Sequence, residues 1–277
     1  ILFYGDSQLE GDRMTCRLRD LLRKEGGGTG PGLIAPVMPV TYTRSFIIRA
    51  SSNWKRYTLL DFREDILPHN SLGPMLSLCR FTAPDDSLDN PTEATLKITA
   101  VPGASSSVSR YDRLRLFYGN NTDTTILRVY SGADMVASSV LRNGKGPFEF
   151  STPLYGLKEV TVVLRGRVSP DVFALSLESD TGIIVDNIPV RGSAGLEFLM
   201  TDRSTYRSLL ETLAPDVIVL QYGLNIVRNV RSDYHYYEEG LVRQIQFLKE
   251  VSGNVPVILV SVTDMAGRKG DSITSFR

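Results

Sequence analysis

The sequence predicts an α/β chain whose parallel sheet, covered by helices on both faces, is interrupted by an inserted antiparallel β sandwich. Three observations predict it. The apolar run from Ile1 to Tyr4 passes through Gly5-Asp6-Ser7 into Met14, Leu18, Leu21 and Leu22 at helical spacing, which reads as strand, turn and helix. From about Thr41 to Leu177 short β-rich runs alternate with turn-rich segments, the spacing of an antiparallel sandwich. After Thr181 nearly continuous Val, Ile and Leu runs alternate with helix patterns again, as parallel strands buried on both faces do.

Taken in order, the first helix pattern stops at Gly26-Gly27-Gly28. The Gly-rich stretch to Gly32 is no phosphate loop, because such loops follow a strand and open a helix, whereas this one follows a helix; it reads as a helix stop and a flexible loop. Within the β-rich region the strand candidates include Ala94 to Thr99, Arg113 to Tyr118, Thr125 to Tyr130 and Glu159 to Leu164. Gly119-Asn120-Asn121 and the segment from Arg142 to Gly146 supply residues that tolerate positive φ, and are expected as hairpin loops. Beyond them come a strand from Gly182 to Asp186, a helix face of Tyr206, Leu209, Leu210 and Leu213, and a strand from Pro215 to Gly223. A helix marked by Leu241, Ile245, Leu248 and Val251 leads to a last strand from Val255 to Val262, with a polar loop after it. The expected organisation is therefore an α/β domain made of residues 1–40 and 178–277, with a β sandwich over 41–177 inserted after the first strand and helix.

At 277 residues either part can bury a core. Lys plus Arg and Asp plus Glu number 31 each, so no overall field favours nucleic acid or an acidic membrane surface. The two cysteines, Cys16 and Cys79, are expected as free thiols, and their spacing makes no metal cluster. No apolar run approaches the roughly 18 to 20 residues of a membrane span. The start on Ile1 without Met reads as a processed chain, and the end also looks cut.

Ligand sites in open α/β sheets gather at the carboxyl ends of strands. Three turns qualify: Gly5-Asp6-Ser7, Arg191-Gly192-Ser193-Ala194-Gly195, and Tyr222-Gly223-Leu224-Asn225. A nucleophilic serine suits the first, where a tight turn presents the hydroxyl and a following helix N-terminus offers N–H donors to a developing oxyanion. The competing reading makes Ser7 a helix N-cap with Glu10 as its capping-box partner. A second copy of the tripeptide, Gly270-Asp271-Ser272, lies eight residues of loop beyond the last strand and is read as loop.

These three turns, in this order on these elements, resemble the first three sequence blocks of the SGNH (GDSL-type) hydrolases. The β-rich insertion, with Gly182 to Asp186 and Arg191 to Gly195 after it, is similar more narrowly to the peptidoglycan O-acetylesterase branch, where a carbohydrate-binding-module-like sandwich interrupts the hydrolase. The resemblance implies a three-layer flavodoxin-like sheet, Ser7 as nucleophile, and an oxyanion hole of the Ser7 and Gly192 N–H groups with the Asn225 side-chain amide. Asp6 and Gly223 become supporting turn residues. It implies an O-acetylated cell-surface carbohydrate such as peptidoglycan as substrate, an extracytoplasmic location and no metal or organic cofactor. An O-acetyltransferase on the same scaffold and a non-catalytic carbohydrate-binding protein are the alternatives.

Two departures stand out. Ile226 follows Asn225 where the family pattern has an acidic residue, and the family's Asp-x-x-His, source of the general base, is not in the sequence. The resemblance therefore places the catalytic His and Asp, with a fifth strand and last helix, beyond Arg277. Of the histidines present, His69 falls in the insertion and His235 near the start of a helix that Asp233 is expected to cap; Asp264 is a further candidate base. Trp54, Tyr57, Tyr111, Tyr118 and Tyr130 read equally as a sugar-stacking platform or as sandwich core.

Overall fold

The computed structural model of the chain describes residues 1–59, 67–82, 89–227, 232–262 and 265–276. In chain order the regular elements are β1 (Leu2–Gly5), α1 (Thr15–Gly26), β2 (Gly32–Ile34), β3 (Phe46–Ala50), β4 (Lys55–Thr58), β5 (Ser77–Arg80), β6 (Thr92–Ala100), β7 (Tyr111–Gly119), β8 (Ile126–Ser131) and β9 (Asp134–Val140). There follow β10 (Phe148–Leu157), β11 (Glu159–Gly166), β12 (Asp171–Glu178), β13 (Asp186–Pro189), α2 (Arg203–Leu213), β14 (Ile218–Gln221), α3 (Leu224–Val227), α4 (His235–Val251), β15 (Val257–Val260), β16 (Met265–Lys269) and β17 (Ser272–Phe276).

Parallel pairing among the described strands is confined to four of them, in the order β13-β1-β14-β15. Alternate residues of β1 face opposite ways, as strand geometry requires. Leu2 and Tyr4 join the core formed with Tyr206, Leu209 and Leu210 of α2 and Phe247, Leu248 and Val251 of α4. Phe3 packs on the other side with Leu9, Val185 and Val219, against Leu18 and Leu22 of α1. The Tyr4 and Tyr206 hydroxyls meet at 2.8 Å inside the first core, and Phe198 sets its ring edge-on to Tyr4 at 5.1 Å.

The three-layer flavodoxin-like expectation is overturned, because the other sheets are antiparallel. One has six strands, in the order β10-β7-β12-β5-β4 with β2 beside β12; another has five, in the order β3-β6-β11-β8-β9; β16 and β17 make a two-stranded ribbon. The five- and six-stranded sheets face each other across a core that includes Leu96, Ile98, Val162 and Leu164 on one side and Leu114, Leu116, Val172 and Leu175 on the other. β11 alternates cleanly between buried and half-buried, as expected of a strand with one wet face. β12, by contrast, is buried along its whole length. Its outer face and that of its neighbours, through Phe173, Ala174, Phe117, Leu78 and Tyr57, enters the same core as Tyr4, Tyr206 and Phe247. The six-stranded antiparallel sheet is thus a middle layer and not a decoration on a flavodoxin-like body.

Several loops also differ from expectation. Gly119 to Asn121 and Arg142 to Gly146 do not close hairpins: they carry the chain between the two antiparallel sheets, and Asn121 bridges Gly144 where they cross. The Gly-rich loop ends in β2, whose residues pair with β12, and the Asp186 carboxylate accepts from Leu33 N–H at 2.8 Å, joining it to the parallel sheet. The strand expected at Gly182 to Asp186 begins only at Asp186, since the carbonyls of Ile183 and Val185 accept from Arg23 and Arg19 of α1 instead. The polar end is the β16–β17 ribbon, with Gly270 and Asp271 at its turn. Both cysteines are free. Trp54, Tyr57, Tyr111 and Tyr118 are buried core residues, which removes the stacking platform. No helix among the described residues is long and apolar enough to cross a membrane.

Two buried polar clusters tie these layers together. Arg19, 1% exposed, donates to Asp12 Oδ2 at 2.6 Å and to Val185 O at 2.7 Å, while Asp12 also accepts from the Thr15 and Ser45 hydroxyls. Arg19→Met leaves Asp12 buried without its counter-charge and should cost roughly 3–5 kcal/mol in denaturant unfolding. In the sandwich, Asp171 accepts from Arg80 Nε at 2.5 Å and Asn120 Nδ2 at 2.5 Å, with His69 Nε2 at 3.1 Å. Burial alone would raise the Asp171 carboxyl, but the His69 hydrogen bond and the Arg80 charge outweigh it and hold the carboxyl below its ordinary value. Its contribution is complete above about pH 4 and is lost as the pH falls through the lower folded-state value. The stability gap between the protein and Asp171→Asn should therefore narrow at the acid end of a pH series of denaturant melts.

Candidate active site

β1 lies between β13 and β14, and the register aligns Gly5 with both Pro189 and Gln221. The turns that follow the three strands therefore leave one edge of the sheet side by side. The first is built around close packing at its glycine. A Cβ on Gly5 would lie 2.8 Å from Leu9 Cδ1 and 2.9 Å from the Gln221 carbonyl, so no side chain fits there.

The first turn is not the start of an α-helix. Ser7 opens a six-residue 3-10 segment, Ser7–Asp12, broken at Glu10 (ψ 144°) and Gly11 (φ 73°), and α1 begins only at Thr15. The run of helical N–H donors expected directly behind Ser7 is correspondingly short. Asp6, not Ser7, caps the segment: its carboxylate accepts from Gln8 N–H at 2.9 Å. Glu10 does not reach back to the cap, because Arg191 takes both its oxygens, at 2.7 and 2.6 Å. The capping-box reading of Ser7 thus fails at both residues. Asp6 is buried and Ser7 exposed.

The second turn carries that Arg191 and then Gly192, which has φ +78°, is exposed and has open space where a Cβ would sit. Ser193 is buried; its hydroxyl donates to Glu197 Oε2 at 2.6 Å and accepts from Gly195 N–H at 2.9 Å. The third turn contains Gly223 at φ +121°, then the single helical turn α3. From it the Asn225 amide donates to Ser193 O at 2.8 Å, which uses one of its two N–H groups. The three turns are thus pinned in a row, the first to the second by Glu10 and Arg191, the second to the third by Ser193 and Asn225.

Residues with no sequence signal complete the frame. Tyr237 of α4 donates to Ala194 O at 2.9 Å, and Gln244 donates to Leu196 O and accepts from Leu199 N–H. Gln221 donates to Gln8 Oε1 at 3.1 Å across the strand end, and Asn187 donates to Leu9 O. Burial, with Glu197 and Asp6 nearby, pushes the Tyr237 phenol up to about 12, so it stays a donor at neutral pH. A cavity of about 350 Å³ opens beside Gly192, lined by Val190, Leu59 and Leu76 and by Arg56 and Thr58 of β4. The antiparallel sheet therefore borders the site.

No hydrogen bond joins Ser7 to either histidine among the described residues. His69 sits in the Asp171 cluster of the sandwich. His235 is 72% exposed and faces Glu238 and Glu239 of its own helix. Asp233 accepts from His235 N–H at 3.2 Å, but the cap position of α4 is Tyr234. Asp264 lies outside the described residues.

No family model and no curated protein matches the chain. Among solved structures, a peptidoglycan O-acetylesterase superposes on 96% of this chain and 68% of its own, with a TM-score of 0.66 and 19% identity. At that identity the likeness is one of fold: the chain has an esterase-like fold. A salicylyl-acyltransferase from a tetracycline biosynthetic pathway (TM-score 0.27, 12% identity, 83% of this chain and 84% of that one) superposes too loosely to bear on function. The same holds for a family two carbohydrate esterase from Clostridium thermocellum (TM-score 0.26, 9% identity, 68% and 76%).

The packing separates two neighbouring positions. Gly5→Ala forces Leu9 or the Gln221 backbone aside and should destabilise the fold by about 1–3 kcal/mol. Ser7→Ala, at an exposed position, should stay within about 0.5 kcal/mol of the parent in the same melt.

Proposed function

We propose that this chain belongs to an SGNH-type serine esterase that removes O-acetyl groups from a cell-surface carbohydrate such as peptidoglycan. The observation that carries the reading is Ser7: an exposed hydroxyl on a tight turn at the end of the central parallel strand, flanked by two turns pinned beside it. The esterase-like fold supports it.

In this reading Ser7 Oγ attacks the acetyl carbonyl carbon as a base takes its proton. The tetrahedral oxyanion is held by the Ser7 and Gly192 N–H groups and by the remaining Asn225 amide hydrogen. The intermediate collapses, the C–O bond to the sugar breaks, and the sugar oxygen takes the proton from the base. Water then attacks the acetyl-serine, releases acetate and regenerates Ser7. Asp6 and Gly223 shape the turns and do not touch the reacting atoms. In this scheme the base is a histidine with an aspartate to orient it; neither His69, held at Asp171, nor His235, beside Glu238 and Glu239, is assigned to that role. No metal or organic cofactor enters the scheme. The substrate class places the enzyme outside the cytoplasm, and residues 41–177 would act as the carbohydrate-binding-module-like part.

A serine-directed fluorophosphonate tests the nucleophile on the full-length protein. Labelling should vanish in Ser7→Ala, and acetate release from O-acetylated peptidoglycan should vanish with it. Asn225→Ala should lower the rate of acetate release by about 10²–10³ through loss of an oxyanion donor. Undiminished turnover in Ser7→Ala would sink the proposal.

A further inference from the structure

Two cavities run end to end along α1. The first, about 740 Å³, begins at Glu10 and Gly11 of the turn that follows Ser7 and continues past Arg13, Tyr42, Arg44 and the segment from Val101 to Ser105. The second, about 510 Å³, continues past Arg17, Lys24 and Arg110 to Gly28 and Thr29. Asp20 and Ser105 line both, so the two form one groove. α1 supplies one wall, and the loops of the five-stranded sheet supply the other.

The groove is strongly cationic in a chain whose total charge balances. Six cations line it, Arg13, Arg17, Arg23, Lys24, Arg44 and Arg110, against two carboxylates, Glu10 and Asp20. Glu10 is held by Arg191, and Asp20 accepts from the Ser107 hydroxyl at 2.7 Å. Arg17 and Lys24 stand two turns apart on one side of the helix, the spacing of a ladder along its axis. At the back of the second cavity Arg23 is 7% exposed and donates to the carbonyls of Ile183, Ser107 and Thr29, with no carboxylate among its partners. Burial, with Arg19 beside it, pushes its guanidinium down to about 10, still protonated at neutral pH. Like charges gathered in a concavity repel one another, and an anion seated among them relieves that cost. Arginine forks match carboxylate oxygens in pairs. Tyr42, 61% exposed at the first cavity, offers an aromatic face of the kind that packs on sugar rings.

We propose that this groove binds a carboxylate-bearing glycan strand, gripping its acid groups with Arg13, Arg17, Arg44 and Arg110 and leading the strand toward Ser7. The carbohydrate part of this assignment rests on the esterase reading above; the anionic part rests on the groove alone. The groove begins at Glu10 and Gly11, in the same 3-10 segment that Ser7 opens, which sets the direction in which a bound strand would run.

Calorimetric titration of the protein with polygalacturonate, dextran sulfate, neutral dextran and a DNA oligonucleotide tests it. Polygalacturonate should bind, more weakly as salt is added, and neutral dextran should not. The double variant Arg17→Ala/Arg44→Ala should bind polygalacturonate about tenfold or more weakly, the order expected when charge-assisted hydrogen bonds are removed. Its labelling by fluorophosphonate should be unchanged, which shows that the variant is folded and its serine intact. Equal affinity in the variant overturns the groove, as does binding confined to dextran sulfate or a tighter hold on the oligonucleotide. If instead Ser7 fails to label while polygalacturonate binding still tracks the arginines, the esterase reading falls and the anion groove stands.

Discussion

The Arg19–Asp12 pair is the constraint on which the rest of the molecule turns. Asp12 sits at φ +58° at the end of the 3-10 segment and is 1% exposed. It accepts from Arg19 and Thr15 at the head of α1 and from Ser45 just before β3. Arg19 meanwhile reaches the carbonyl of Val185, immediately before β13. One buried pair thus fixes the end of the Ser7 turn, the helix behind it, the entry to the second parallel strand and the first strand of the five-stranded sheet. Two charges at this depth are costly unless hydrogen bonds satisfy what the pair leaves over, and here hydroxyls and a carbonyl do so. The exposed Ser7 needs no partner of its own because the residues five and twelve positions later are locked.

Much of this architecture is legible in the sequence, for identifiable reasons. β1 and β14 are short apolar runs bounded by Gly or Pro, and both are buried along their whole length between parallel neighbours; β15 is as apolar, yet at the end of the strand order Ile258 and Leu259 are each 51% exposed. β11 shows its one-sided burial as plain alternation. β12 defeats the same logic. Val172-Phe173-Ala174-Leu175 is as continuous as a parallel strand, yet its neighbours are antiparallel; its second face is buried in the core it shares with α2, α4 and the parallel sheet. Local residue types mark a strand as apolar; whether it is buried, and by what, is a property of the whole chain.

The candidate site divides along the same line. Gly5-Asp6-Ser7, Gly192 and Asn225 are visible as turn residues at strand ends, a local pattern. Their fastening is not visible, since Glu10 meets Arg191 and Asn225 meets Ser193 across long stretches of sequence, and no spacing rule marks Tyr237 or Gln244. The 3-10 segment and its break at Glu10 and Gly11 leave no mark in the sequence, because the helical apolar spacing begins only at Met14. The basic groove was hidden by the balanced total: Arg13, Arg17 and Lys24 are ordinary on a helix surface until Arg44 and Arg110 arrive opposite them from the sandwich.

The position of β1 also fixes an order of assembly. It is the first strand of these residues to be made and it is central in its sheet, with Asp186 to Pro189 on one flank and Ile218 to Gln221 on the other. Both flanks lie on the far side of the whole sandwich in sequence. Strands so widely separated form their contacts late, because the loop between them must be closed before pairing is rewarded. β6 through β11, whose pairings are nearer in the chain, can close first and shorten that loop to a compact body. The turn bearing Ser7 is thus synthesised near the beginning and acquires its fixed shape only at the end, when the two flanking strands arrive.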